Sequence, residues 1–127
     1  MRIEHIAIWV ADLEGMRVFY ERYFNAISGE KYHNATKQFT SYFLSFTDGA
    51  RLEIMHKPTI VEASDNALDT GFIHFAMSVG SKEQVNILTE KLRADGFTIA
   101  GELRTTGDGY YESVVLDPEG NQIEITI

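Results

Sequence analysis

The sequence predicts an α+β chain built from two related βαβββ modules, and three observations predict it. The order strand, helix, three strands occurs twice along the 127 residues. The strand segments alternate aliphatic with polar residues, as strands with one buried face do. A His in each module's first strand and a Glu in its last recur at matched places: Glu53 follows His5 by 48 positions, and Glu124 follows His74 by 50. Modules of about 60 residues are marginal on their own. Such repetition therefore signals units that share one core. The chain reads as a single domain over 1–127, with modules at 1–57 and 71–127.

The elements follow in order. Residues 3–10 (IEHIAIWV) are β-branched and aromatic and predict a strand. Asp12 offers an N-cap, and Leu13, Met16, Phe19, Tyr20, Tyr23 and Phe24 recur at helical spacing over 13–25, with Gly15 a weak point. Strands are expected near 26–33, at 39–46 and at 50–57, the last two joined through a turn at Asp48-Gly49. Residues 58–70 break the pattern and read as a connection.

The order then restarts with a strand at 71–79. Ser81 followed by Gln84 forms a capping box, and Val85, Leu88 and Leu92 make the apolar stripe of a helix that Asp95-Gly96 stops. Strands follow at 97–103, 110–117 and 121–127, with a glycine-bearing loop RTTGDG before the second and the turn Pro118-Glu119-Gly120 before the third.

Composition narrows the function. Apolar residues make up 44% of the chain, enough for a core and against disorder. The net charge is −8 with no basic stripe, which argues against a nucleic-acid partner or a membrane surface. No cysteine is present, so disulfides, thiolate metal sites and cysteine nucleophiles are excluded. The N-terminus MRIEHIAIWV lacks the form of a signal peptide, and no apolar run is long enough to span a bilayer. A cytoplasmic location is expected.

Alternation places the chemistry. Ile6, Ile8 and Val10 share one face of the first strand; His5, Ala7 and Trp9 share the other. Leu52 and Ile54 oppose Glu53 and Met55, Phe75 and Met77 oppose His74 and Ala76, and Ile123 and Ile125 oppose Glu124. Four times, an aliphatic face lies behind a single His or Glu. A carboxylate buried without a partner is costly, and a shared divalent ion would satisfy both carboxylates and both imidazoles. The simpler alternative is a sheet whose polar face meets water. Two His and two carboxylates suit Zn²⁺, Ni²⁺, Co²⁺, Mn²⁺ or Fe²⁺ in an open, reactive site. Arg51, Lys57 and Arg104 are candidate anion partners, and Trp9 and Met55 candidate apolar walls. Tyr110 or Tyr111, but not both, can face the site; His33 reads as surface, and His56 lies opposite Glu53.

From EHIAIWVADLEGMRVFY through GFIHFAM to LDPEGNQIEI the chain resembles the vicinal oxygen chelate superfamily, which holds glyoxalase I, bleomycin-resistance proteins and extradiol dioxygenases. The resemblance implies the glyoxalase/bleomycin resistance/dioxygenase fold, a homodimer, one divalent metal and a small-molecule substrate. It implies His5, Glu53, His74 and Glu124 as metal ligands, the set of glyoxalase I-like members, with Glu124 as catalytic base and Glu53 as its counterpart. The reaction so implied is that of a lactoylglutathione lyase-like enzyme working through an enediolate. Another metalloenzyme of the superfamily, an epimerase or dioxygenase, and a non-catalytic sequestering protein are the alternatives. Glyoxalase I enzymes commonly carry an Arg four residues after the first His; here that residue is Trp9. They also carry an Asn shortly after the first Glu, where this chain has His56 and Lys57.

Overall fold

The computed structural model describes residues 3–60, 73–107 and 109–127. The chain divides into two compact units, Met1–Asn66 and Ala67–Ile127.

The first unit runs β1 (His5–Trp9), α1 (Leu13–Phe24), β2 (Ile27–Ser28), β3 (Tyr32–Asn34), β4 (Phe39–Ser45) and β5 (Arg51–His56). The one strand expected near 26–33 is two short strands. Both pair with β4, Ile27 opposite Ser45 and Tyr32 opposite Ser41, so the outer strand is broken between Ser28 and Tyr32. The sheet order is β1-β5-β4-β2, with β1 parallel to β5 and the others antiparallel.

Helix α1 forms where the apolar spacing requires it. Asp12 accepts the Gly15 amide at 2.9 Å, and a left-handed Asn25 (φ 52°) ends the helix. Gly15 is the fitting residue there, because a Cβ would collide with the Asp12 carboxylate. Leu13, Met16, Phe19, Tyr20, Tyr23 and Phe24 are all buried; the helix packs on β4 and β5, whose Leu44, Leu52 and Ile54 are also buried. Each such side chain contributes about 1.5–3 kcal/mol of transfer free energy.

The second unit runs β6 (Phe75–Ser78), α2 (Lys82–Ala94), β7 (Ile99–Thr105), β8 (Tyr111–Leu116) and β9 (Gln122–Thr126). Its sheet order, β6-β9-β8-β7, repeats that of the first: opening strand, closing strand, third, second. β6 is again parallel to β9. Ser81 accepts the Gln84 amide at 3.2 Å as the expected N-cap, and Gly96 (φ 90°) follows the end of α2.

The buried stripe of α2 is Val85, Thr89 and Leu92, with Leu88 only half-buried. Thr89 replaces Leu88 in the core because its hydroxyl is satisfied there, by Val85 O at 2.6 Å and the Ser113 hydroxyl at 2.7 Å. The strand expected at 97–103 lies two residues further on, and the pairing of β7 with β8 shifts register on either side of Gly101. There a Cβ would stand 3.1 Å from Val114 Cγ2. The connection expected at 58–70 falls largely, and the start of the 71–79 strand wholly, outside the described residues. Among the described residues no helix is long and apolar enough to cross a membrane.

Candidate metal centre

Register decides which side chains share a face, since paired residues on neighbouring strands project to the same side. In the first unit His5 is paired with Arg51, Ala7 with Glu53, and Glu53 in turn with Phe43. His5 and Glu53 are therefore diagonal neighbours on the face opposite α1.

His5 does not stand free. Its Nδ1 lies 2.6 Å from Glu4 Oε2, and the Arg51 Nε donates to the other Glu4 oxygen at 2.9 Å. The carboxylate can only accept, so Nδ1 carries the hydrogen of this bond and Nε2 is left without that partner. The bond to His5, then the bond to Arg51, hold Glu4 below the usual carboxylate range. The His5 ring packs edge-on against Phe43, with centroids 5.2 Å apart, and the Arg51 guanidinium lies 4.1 Å over the same ring. Arg51, a candidate anion partner, thus spends its charge on Glu4.

In the second unit Ala76 is paired with Glu124, and His74 precedes β6 on the same side. His74 Nε2 and Glu124 Oε2 are 3.4 Å apart, with side chains 39% and 17% exposed. Glu124 is paired with Val114, and the next row holds Thr126, Glu112 and Arg104. Glu112 is buried and takes two bonds from Arg104, 2.9 Å from Nη2 and 3.2 Å from Nε. Burial, followed by the Glu112 carboxyl within hydrogen-bonding reach, pushes Glu124 above its ordinary value.

Glu112 was not among the residues the sequence singled out. Its signal was parity: it shares the face of Val114, one row from Glu124. Arg104 was expected in the RTTGDG loop; it lies instead in β7, which runs on to Thr105, and its guanidinium serves Glu112.

The remaining candidates sort cleanly. His56 turns from Glu53, with Nδ1 2.9 Å from Val10 O. His33 is exposed. Tyr111 donates to Asn86 of α2 at 2.7 Å, and Tyr110 is exposed. Lys57 stands with Nζ 4.8 Å over the Trp9 ring. Among the described residues no three His, Asp or Glu side chains are gathered closely enough to hold a metal ion; His74 and Glu124 meet, while His5 and Glu53 share a face as diagonal neighbours.

This fold and these pairs define a class. The profile of the Glyoxalase/Bleomycin resistance protein/Dioxygenase superfamily matches residues 2–125, and the chain belongs to that superfamily. It is 28% identical over 127 residues to the uncharacterized protein YqjT of Bacillus subtilis (strain 168), covering 97% of this chain and 96% of YqjT. Among solved structures it is similar to glyoxalase I from Zea mays, with a TM-score of 0.80 and 23% identity over 98% of this chain. It spans 44% of the maize chain. A glyoxylase/bleomycin resistance protein/dioxygenase domain from Frankia sp. EAN1pec superposes with a TM-score of 0.86 at 13% identity, over 100% of this chain and 97% of that one.

Proposed function

We propose that this protein is a metal-dependent glyoxalase-type lyase or isomerase. It acts on a small substrate with adjacent oxygens, such as the hemithioacetal of a 2-oxoaldehyde, with His5, Glu53, His74 and Glu124 holding one divalent ion. One observation carries the reading: in two sheets with the same strand order, His5 and His74 each stand two residues before the residue paired with their module's glutamate, Ala7 with Glu53 and Ala76 with Glu124.

The residues suit a cation. His5 has its Nδ1 committed to Glu4, which leaves Nε2 to ligate, the arrangement by which a carboxylate orients a ligating imidazole. Among the described residues the two carboxylates of Glu124 and Glu112 face one arginine, Arg104, so a positive ion there relieves an excess of negative charge. Four such N and O ligands accept Ni²⁺, Zn²⁺, Co²⁺ or Mn²⁺. Each module supplies one His and one Glu, and the reading includes a cytoplasmic homodimer.

When bound, the ion supplies Lewis acidity toward two neighbouring substrate oxygens. The chain does the rest. Glu124 takes the proton from the hydroxyl-bearing carbon beside the carbonyl, giving an enediolate, and returns it to the former carbonyl carbon, while the hydroxyl proton passes to the former carbonyl oxygen. Glu53 serves as its counterpart from the other module. His5, fixed by Glu4, and His74 hold their places throughout.

The test is elemental analysis of purified protein, with the double variant His5→Ala/Glu124→Ala beside it. The expected result is one divalent ion per chain, lost in the variant, together with turnover of methylglyoxal hemithioacetals formed from a panel of thiols. Protein that takes up neither Ni²⁺ nor Zn²⁺ overturns the enzyme reading and leaves a small-molecule binding module.

A further inference from the structure

The open face of the first sheet carries more than His5 and Glu53. Trp9 is paired with Met55, Met55 with Ser41, and Ser41 with Tyr32, so these four side chains form one row across β1, β5, β4 and β3. The row lies next to the one that holds Ala7, Glu53 and Phe43. Phe39 joins it, its ring centroid 6.4 Å from that of Trp9 and 5.8 Å from that of Tyr32. Trp9 is 47% exposed and Tyr32 51%, although α1 covers the other face of the same sheet.

Two polar groups in this apolar setting are unspent. Lys57 Nζ stands over the Trp9 ring and has no carboxylate partner among the described residues. The Ser41 hydroxyl is fully buried and has no hydrogen-bond partner among the described residues. An aromatic platform with an ammonium at one end that no carboxylate pairs among the described residues is complementary to a flat apolar group that carries an anion.

We propose that Trp9, Phe39, Tyr32 and Lys57 form the subsite that selects the substrate's non-reacting part, an aromatic group bearing a single carboxylate. The aryl ring lies along the Trp9–Phe39 edge and its carboxylate pairs with Lys57. Glu53 and Lys57 are four residues apart along one strand direction, about 13 Å at about 3.3 Å per residue. That span fits a substrate whose adjacent oxygens reach Glu53 while its anion reaches Lys57. As a statement of substrate class the inference rests on the metalloenzyme reading above; the platform itself binds without the metal.

Trp9 is the one tryptophan in the chain, so its fluorescence reports the platform alone. The experiment titrates chelator-stripped full-length protein with 3-phenylpropanoate and with its neutral amide, 3-phenylpropanamide. The expected result is saturable quenching by the carboxylate and at least about tenfold weaker binding of the amide. Lys57→Met abolishes that preference and Phe39→Ala weakens both probes, while the Tm of each variant stays within a few degrees of the parent. Equal binding of acid and amide, or no saturable quenching, overturns the proposal. So does an emission maximum that shifts with protein dilution and ignores both probes, because a second copy then covers the platform. Metal uptake is scored separately: a protein that binds the probe but no metal sinks the enzyme reading alone, and one that binds metal but no probe sinks the subsite alone.

Discussion

Replacing Glu4 tests the metal reading at a residue outside the four ligands. The Glu4 carboxylate lies 2.6 Å from His5 Nδ1 and is held in place by Arg51. Glu4→Gln keeps a carbonyl oxygen able to accept the Nδ1 hydrogen but removes the negative charge that makes the imidazole a better donor to a cation. Loss of such a supporting partner costs about 10–100-fold in metal affinity. The Glu4 side chain is 52% exposed, so water screens part of its charge and places Glu4→Gln near the lower figure. Glu4→Ala also frees the ring to rotate and belongs near the upper figure. The assay is competition for Zn²⁺ or Ni²⁺ against a chromogenic chelator at pH 7, with Tm of the metal-free proteins recorded in parallel. The graded order parent, Gln, Ala, with metal-free Tm unchanged, is expected. Parental affinity in both variants would refute the argument that Glu4 orients His5 toward a metal.

Two further outcomes concern stability. Glu14 accepts from Lys31 at 2.8 Å, Tyr42 at 3.0 Å and Arg17 at 3.2 Å, and Lys31 above all holds it at about 2 instead of 4.5. Because its folded pKa is depressed, its contribution is complete above pH 4.5 and is lost as pH falls toward about 2. Glu14→Gln should cost about 1 kcal/mol in urea unfolding at pH 7 and low salt, since half-exposed pairs are worth little each. The difference should shrink in 1 M NaCl and close as the pH approaches 2; a cost that persists there contradicts the assignment. Thr89→Val leaves the buried Ser113 hydroxyl without its acceptor and should cost about 1–3 kcal/mol by chemical denaturation. Thr89→Val/Ser113→Ala should recover most of it, and a double variant as unstable as the single one would show that packing, not the hydroxyl pair, is responsible.

How much of this was legible beforehand depends on which interactions are local. Strand alternation sent Leu52 and Ile54 to the helix side and Glu53 to the other, because side-chain period is a property of each strand alone. Asp12 and Ser81 were readable as caps for the same reason: the bond spans three residues. The Arg104–Glu112 pair was not, since it needs the register of β7 against β8, and that register shifts around Gly101. Glu4 sits beside His5 in sequence, but its orientation is set by Arg51, which arrives with β5 from 47 positions away. Thr89 was passed over because a polar residue in a helix stripe is accepted only where its hydroxyl finds partners, one of them on β8. The matched register places of His5 with Glu53 and of His74 with Glu124 were legible through repetition, not through any one segment.

Both sheets end in an interrupted strand. In the first the outer position is split into β2 and β3, and in the second β7 carries irregular register and the charges of Glu102 and Arg104. An unbroken edge offers a ladder of backbone donors and acceptors on which another chain can grow, the first step toward fibrillar aggregation. At these two edges, among the described residues, the ladder is interrupted within a few residues. Copies of this protein are therefore discouraged from joining through those edges at high concentration.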